Sequence, residues 1–131
     1  MGNSKAAEVA ADYFSAWSTR DVTKAIEYLT DDVQITAPNG TFSGHPGFHE
    51  FMDGFVKMLT GVSEFTAFGD DTTAVVWYAT HLQPVPTLVA GERIALRDGK
   101  IARIDITFDT MPLTQAFGGR AAAHDSIDDR A

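Results

Sequence analysis

The sequence predicts an α+β fold, with helices on one face of a bent, mostly antiparallel sheet. Three observations predict it. Before Gly61 most apolar residues recur at helical spacing. From Val62 onward, runs rich in β-branched and aromatic residues are divided by turn signals. The resulting order is α-α-β-α-β-β-β-β, helices early and consecutive strands late.

Ala6 to Trp17 reads as the first helix. Val9, Tyr13 and Trp17 lie at i, i+4 and i+8, with Ala6, Ala10 and Phe14 beside them. Asp21 can cap a second helix, in which Val22, Ala25, Ile26 and Leu29 repeat at i, i+3, i+4 and i+7. A short strand, Val33 to Ala37, ends in the turn Pro38-Asn39-Gly40. Pro46 suits the first turn of a third helix, and Gly61 suits its stop. Its stripe of Phe48, Phe51, Met52, Phe55 and Leu59 reads as core, because burying aromatic surface is strongly favourable.

The remaining elements read as sheet. Val62 to Phe68 is a strand, followed by the turn Gly69-Asp70-Asp71 and a second strand from Thr73 to Leu82. Gln83 to Pro86 contains two prolines and must be a loop or bulge. Val89 to Leu96 and Lys100 to Phe108 are joined by the hairpin signal Arg97-Asp98-Gly99. From Thr110 the pattern decays, giving one domain over residues 1–117 and a loose tail over 118–131.

Composition narrows the function. The chain of 131 residues is one domain's worth and can bury a self-sufficient core. It has no Cys, so disulfides, thiolate metal ligands and a thiol nucleophile are excluded. Its 18 Asp and Glu against 10 Lys and Arg give a net charge of −8, which argues against nucleic acid or an anionic membrane as partner. No apolar run approaches the ~18 residues of a membrane span. The polar start, Met1 to Lys5, does not resemble a secretory signal, so the expected setting is cytoplasmic.

The order of elements, with several local landmarks, resembles the nuclear transport factor 2-like superfamily. Within it, the chain is most similar to the SnoaL-like group of polyketide cyclases, ketosteroid isomerases and limonene epoxide hydrolases. The landmarks are Tyr13-Phe14-Ser15-Ala16-Trp17 with Asp21-Val22, then Leu29-Thr30-Asp31-Asp32-Val33, then Gly44. The last is Arg97 to Ile104, running on to Thr107-Phe108-Asp109. The resemblance spans about Ala6 to Thr110. It implies a cone, with three helices packed on a curved sheet around a deep, mostly apolar pocket. It also implies a homodimer through the outer sheet face and chemistry without metal or cofactor. Reaction type does not follow from such a fold; it depends on a few polar groups in the pocket.

Two acids of the compared families are replaced here. The position of the cyclase and epoxide-hydrolase acid on the last strand is Ile106, and that of the isomerase base is Ala37. Asp105 is one residue from the first position and, by strand alternation, faces outward, towards a dimer contact or a basic residue. Two other positions match. Tyr13 falls where the isomerases place an oxyanion-binding Tyr, and Glu92 where they have a second acid. Glu92 shares strand parity with Ile94 and Leu96, so it should point inward with a raised pKa. A neutral Glu92 beside the Tyr13 hydroxyl would form a two-donor oxyanion hole; ionised, it could act as a base. The alternatives are a Tyr13 hydroxyl tied to backbone, and a Glu92 on the rim or paired with Arg93 or Arg103.

His81 is a further catalytic candidate if it faces inward. Either Trp77, Ala79 and His81 or Val76, Tyr78 and Thr80 line the pocket, and alternation leaves both open. Trp17, Tyr78, Ile106, Phe108 and Phe55 are expected substrate-binding walls. His45 and His49 have metal-ligand spacing but no evident third ligand, so no metal site is expected. His124 falls in the tail. Two functions compete. One is an enzyme acting by acid–base chemistry on a small apolar or aromatic molecule; the other is a non-catalytic, dimeric ligand-binding module.

Overall fold

The structure, a computed structural model, describes residues 4–83 and 87–111. Helix α1 runs from Lys5 to Ser18, and Ser4 caps it by accepting from the Ala7 amide at 2.9 Å. A short α2, Val22–Ile26, starts at Asp21, whose carboxylate accepts from the Lys24 amide at 3.0 Å. Strand β1, Leu29–Ala37, and strand β2, Gly40–Ser43, form a hairpin, and α3 follows from Gly44 to Met58. Strands β3 (Leu59–Gly69), β4 (Thr73–Leu82), β5 (Leu88–Arg97) and β6 (Lys100–Phe108) complete the chain.

The six strands form one curved, unclosed sheet in the order β2-β1-β6-β5-β4-β3. All neighbours pair antiparallel except β1 and β6, which are parallel. This is the α+β architecture expected. Helix α1 packs against β3 and β4, and α3 packs against β1 and β2, so both helices cover one face. Buried Val9, Tyr13, Trp17, Phe48 and Met52 meet Ile35, Val76, Ile94 and Ile104 there. The Asp98-Gly99 turn joins β5 to β6 with both residues at positive φ, 54° and 82°, as a two-residue hairpin of type I′ requires.

Several boundaries differ from expectation. The hairpin partner β2 was not anticipated, although Asn39-Gly40 followed by Thr41-Phe42-Ser43 carries its signal. Strand β1 starts at Leu29, so that residue belongs to sheet rather than to α2. Helix α3 ends at Met58 without a glycine, because Leu59 is already extended and pairs with Leu82; Gly61 lies within β3. Gln83 ends the described part of the proline loop, and residues 84–86 lie outside it. The expected tail, residues 118–131, with His124, also lies outside the described residues. No described helix is long and apolar enough to cross a membrane.

Candidate active site

Between the helices and the concave sheet face lies a cavity of about 310 Å³. That is near the lower end of the ~300–1,000 Å³ typical of small-molecule sites. Trp17 from α1 and Met52 and Phe55 from α3 form its helical wall. The sheet wall follows from the strand register. Inward-facing Val76, Glu92 and Ile106 make one cross-strand row, and Tyr78, Ala90 and Phe108 make the next. Glu92, Ile106, Tyr78, Ala90 and Phe108 all line the cavity. Asn39, in the turn after β1, lines it as well.

All five residues expected as walls, Trp17, Tyr78, Ile106, Phe108 and Phe55, are thus brought together. The β4 ambiguity is resolved by exposure: Tyr78 is buried, whereas Trp77 is 55% exposed on the opposite face. Trp17 meets Tyr78 edge-on at 5.5 Å and Phe55 at 5.9 Å, so three aromatic walls support one another.

Glu92 points inward and is only 5% exposed. Tyr78 sits diagonally across the ladder from it, and small Ala90 opposite Tyr78 leaves the ring room to lean over. The Tyr78 hydroxyl donates to Glu92 Oε2. Glu92 Oε1 is buried with no hydrogen-bond partner among the described residues. Burial pushes the Glu92 carboxyl up to about 7, against the hydrogen bond from Tyr78, which favours the charged form. Burial and the Glu92 charge hold the Tyr78 hydroxyl well above the usual phenol range. Near neutral pH, Glu92 can therefore exist as a proton donor or as a base while Tyr78 remains protonated.

Two expected catalytic placements need correction. Tyr13 is buried and feels the Glu92 charge, which adds to burial in raising its pKa. Its ring packs on Phe48 at 6.1 Å, however, and it does not line the cavity. One helical turn separates it from Trp17, enough to leave Tyr13 beneath the site. The hydroxyl engaged by Glu92 belongs instead to Tyr78. His81 has the parity of exposed Trp77, and its ring nitrogens meet Ser63 Oγ at 2.9 Å and Thr87 Oγ1 at 3.0 Å. It too does not line the cavity.

Other polar residues fall where expected or find simple partners. Asp105 lies on the outer face between Arg93, at 3.0 Å, and Arg103, at 3.1 Å. Burial alone would raise its pKa, but the hydrogen bonds from Arg103 and Arg93 hold it below the usual carboxylate range. His49 Nδ1 meets Asp53 at 3.0 Å. Among the described residues, no three His, Cys, Asp or Glu are grouped to hold a metal ion.

Sequence reasoning did not identify Asn39 or Trp17 Nε1 as polar features of the cavity. Asn39 Oδ1 and Trp17 Nε1 are both buried without a partner. The signal available for Asn39 was its place in the turn that follows β1, just beyond Ala37.

Residues 10–104 match the SnoaL-like domain family. A solved protein from Kribbella flavida DSM 17836 is 35% identical, with a TM-score of 0.84, covering 91% of this chain and 98% of that one. A candidate ketosteroid isomerase from the same organism is 18% identical, TM-score 0.71, covering 80% and 78%. A candidate polyketide cyclase from Xanthomonas campestris pv. campestris is 17% identical, TM-score 0.72, covering 88% and 96%. The latter two similarities concern the fold. Comparison with curated proteins gives no match. The chain belongs to the SnoaL-like domain family.

Proposed function

We propose that this SnoaL-like protein is a cofactor-free enzyme that moves a proton on a small, largely apolar substrate held in the cavity. One observation carries the reading: a buried carboxyl, Glu92, with a pKa of about 7 and one oxygen unpartnered in a mostly apolar, aromatic-walled site. Protonated, Glu92 donates to a carbonyl, hydroxyl or epoxide oxygen; ionised, it removes a proton from carbon or water. Tyr78 fixes the carboxyl and supports its charged form. Isomerisation, dehydration, cyclisation and epoxide opening all use these steps. Tyr13 acts, in this reading, from beneath the site, and His81 has no part.

The test is turnover of a panel of β,γ-unsaturated cyclic ketones and cyclic epoxides by wild type and Glu92→Gln. The variant should keep ligand binding and lose at least ~10²-fold in kcat, a typical general acid–base contribution. Near-wild-type turnover by Glu92→Gln would remove Glu92 from the mechanism. A non-catalytic binding module is the second reading, favoured by apolar residues at Ala37 and Ile106, where the families compared carry acids. Binding across the panel without wild-type turnover would support it.

The same reading includes a homodimer through the outer sheet face. Phe68, Val75, Trp77 and Val89 are exposed there, from 42% to 72%. Gly91 lets Trp77 lie flat on the sheet, since a Cβ at that position would meet the indole at 3.3 Å. Such a patch suits burial against a second copy.

A further inference from the structure

Five buried side-chain polar atoms have no hydrogen-bond partner among the described residues, and three of them belong to residues lining the cavity. They are Glu92 Oε1, Trp17 Nε1 and Asn39 Oδ1. Buried polar groups normally find partners, so this concentration marks a surface built to be completed by a ligand. Thr80 also lines the cavity but is already satisfied, donating to the Leu88 carbonyl at 2.9 Å.

These groups are not clustered at one point. Asn39 sits in the two-residue turn between β1 and β2, just beyond Ala37, which pairs with Gly40. Glu92, on β5, pairs with Ile106 of β6. Strand β6 separates β1 from β5, so the turn after β1 and Glu92 stand two strand spacings, about 10 Å, apart. Both side chains reach inward, leaving a gap that one or two fused rings would fill. The charge of the wall is equally specific. Among the described residues no Lys, Arg or His lines the cavity, and the one carboxyl lining it is Glu92. An anionic ligand would meet no counter-charge and would be repelled by ionised Glu92.

We infer that the cavity takes a neutral one- or two-ring compound with an oxygen at each end, and that Asn39 is the specificity-determining residue that binds the outer oxygen. The inner oxygen meets Glu92, so the inference rests on the proposed function. The Asn39 amide offers both an acceptor and a donor, which suits a hydroxyl or a ketone. Trp17 Nε1 adds a donor on the helical wall.

The probes are 2-naphthol, 2,6-dihydroxynaphthalene and 6-hydroxy-2-naphthoate, measured by calorimetric titration at about pH 7, the Glu92 midpoint. Wild type should bind the diol about tenfold more tightly than 2-naphthol, the order expected for one well-made hydrogen bond in a buried site. It should bind the naphthoate more weakly than the diol. Asn39→Leu, of similar volume and at a residue without positive φ, should keep the 2-naphthol affinity and lose the preference for the diol. Glu92→Gln should still bind both the mono-ol and the diol and keep their ratio. Equal binding of mono-ol and diol by wild type, or an unchanged preference in Asn39→Leu, overturns the role of Asn39 and leaves the proposed function standing. Failure of all three probes to bind overturns both.

Discussion

Replacing Glu92 by Gln should change the pH dependence of stability in a way set by the site's geometry. Gln keeps the shape and can still accept from Tyr78, so it removes the ionisation while retaining the hydrogen bond. The native carboxyl titrates near 7, against 4.5 for the ordinary group. Below about 4.5 both native and unfolded states carry the proton, and Glu92 contributes no pH dependence. Between about 4.5 and 7 the unfolded state ionises while the native state holds its proton, so native stability falls as pH rises. Above about 7 both states ionise and the loss levels off. A 2.5-unit difference corresponds to a loss on the order of 3 kcal/mol, most of it accumulated between about pH 5 and 8. Other groups titrate in both proteins, so the difference between wild type and Glu92→Gln isolates this one. Urea unfolding at fixed protein concentration, followed by tryptophan fluorescence, measures it. The variant should gain on wild type by about 2–3 kcal/mol between about pH 5 and 8. Its amide nitrogen will incur a pH-independent cost, which shifts the whole difference curve without changing its slope. Parallel stability profiles, within about 0.5 kcal/mol, would refute a buried carboxyl with a raised pKa.

Tyr78→Phe removes the hydrogen bond that favours ionised Glu92, so the acid limb of the pH–rate profile should move to higher pH; a limb that stays in place would uncouple the two residues. Gly69→Ala sets a Cβ 2.4 Å from the Thr73 carbonyl oxygen, which must push the β3–β4 hairpin apart. Chemical denaturation should show a loss of about 1–3 kcal/mol, with ligand affinity little changed. Trp77→Glu places a charge in the outer apolar patch and should shift sedimentation from dimer to monomer, while circular dichroism remains native.

The fold was legible because its signals were redundant. Asp21, the i, i+4, i+8 row of α1 and the Asp98-Gly99 turn each specify local structure independently of the rest. Glu92 was legible by the same means: Ile94 is plainly core, and strand alternation carries its neighbour two residues away to the same face. On β4 that reasoning had no purchase. Alternation is informative only when one face is polar, and here Val75 and Trp77 are apolar but exposed, opposite buried Val76 and Tyr78. An apolar outer face thus masked the inner one. For Tyr13, periodicity gave the correct buried side of α1 but not the depth along the helix at which the cavity ends. That depth depends on the docking of α3, where Phe48 covers the Tyr13 ring.

The replaced acids become intelligible once the register is known. Ile106 stands where the families compared carry a carboxylate, yet its direct partner across the ladder is Glu92. Opposed Cβ atoms lie only ~5 Å apart, so a carboxyl on β5 reaches nearly the same part of the cavity as one on β6. Ala37 stands at the other acid position, and Asn39, two residues on, supplies a polar group to the same cavity. Both substitutions thus keep polarity in the site while changing its origin and charge: one carboxyl with a pKa near 7 and one neutral amide. Among the described residues Glu92 is the one carboxyl lining the cavity, beside a Tyr78 hydroxyl whose pKa stays far above neutral. Under the proposed function Glu92 would take up and return the same proton, or pass it to the substrate's own oxygen. Among the reactions considered, this favours isomerisation and dehydration, in which one group can serve both steps, over hydrolysis of an epoxide, which needs a base for water and an acid for the leaving oxygen.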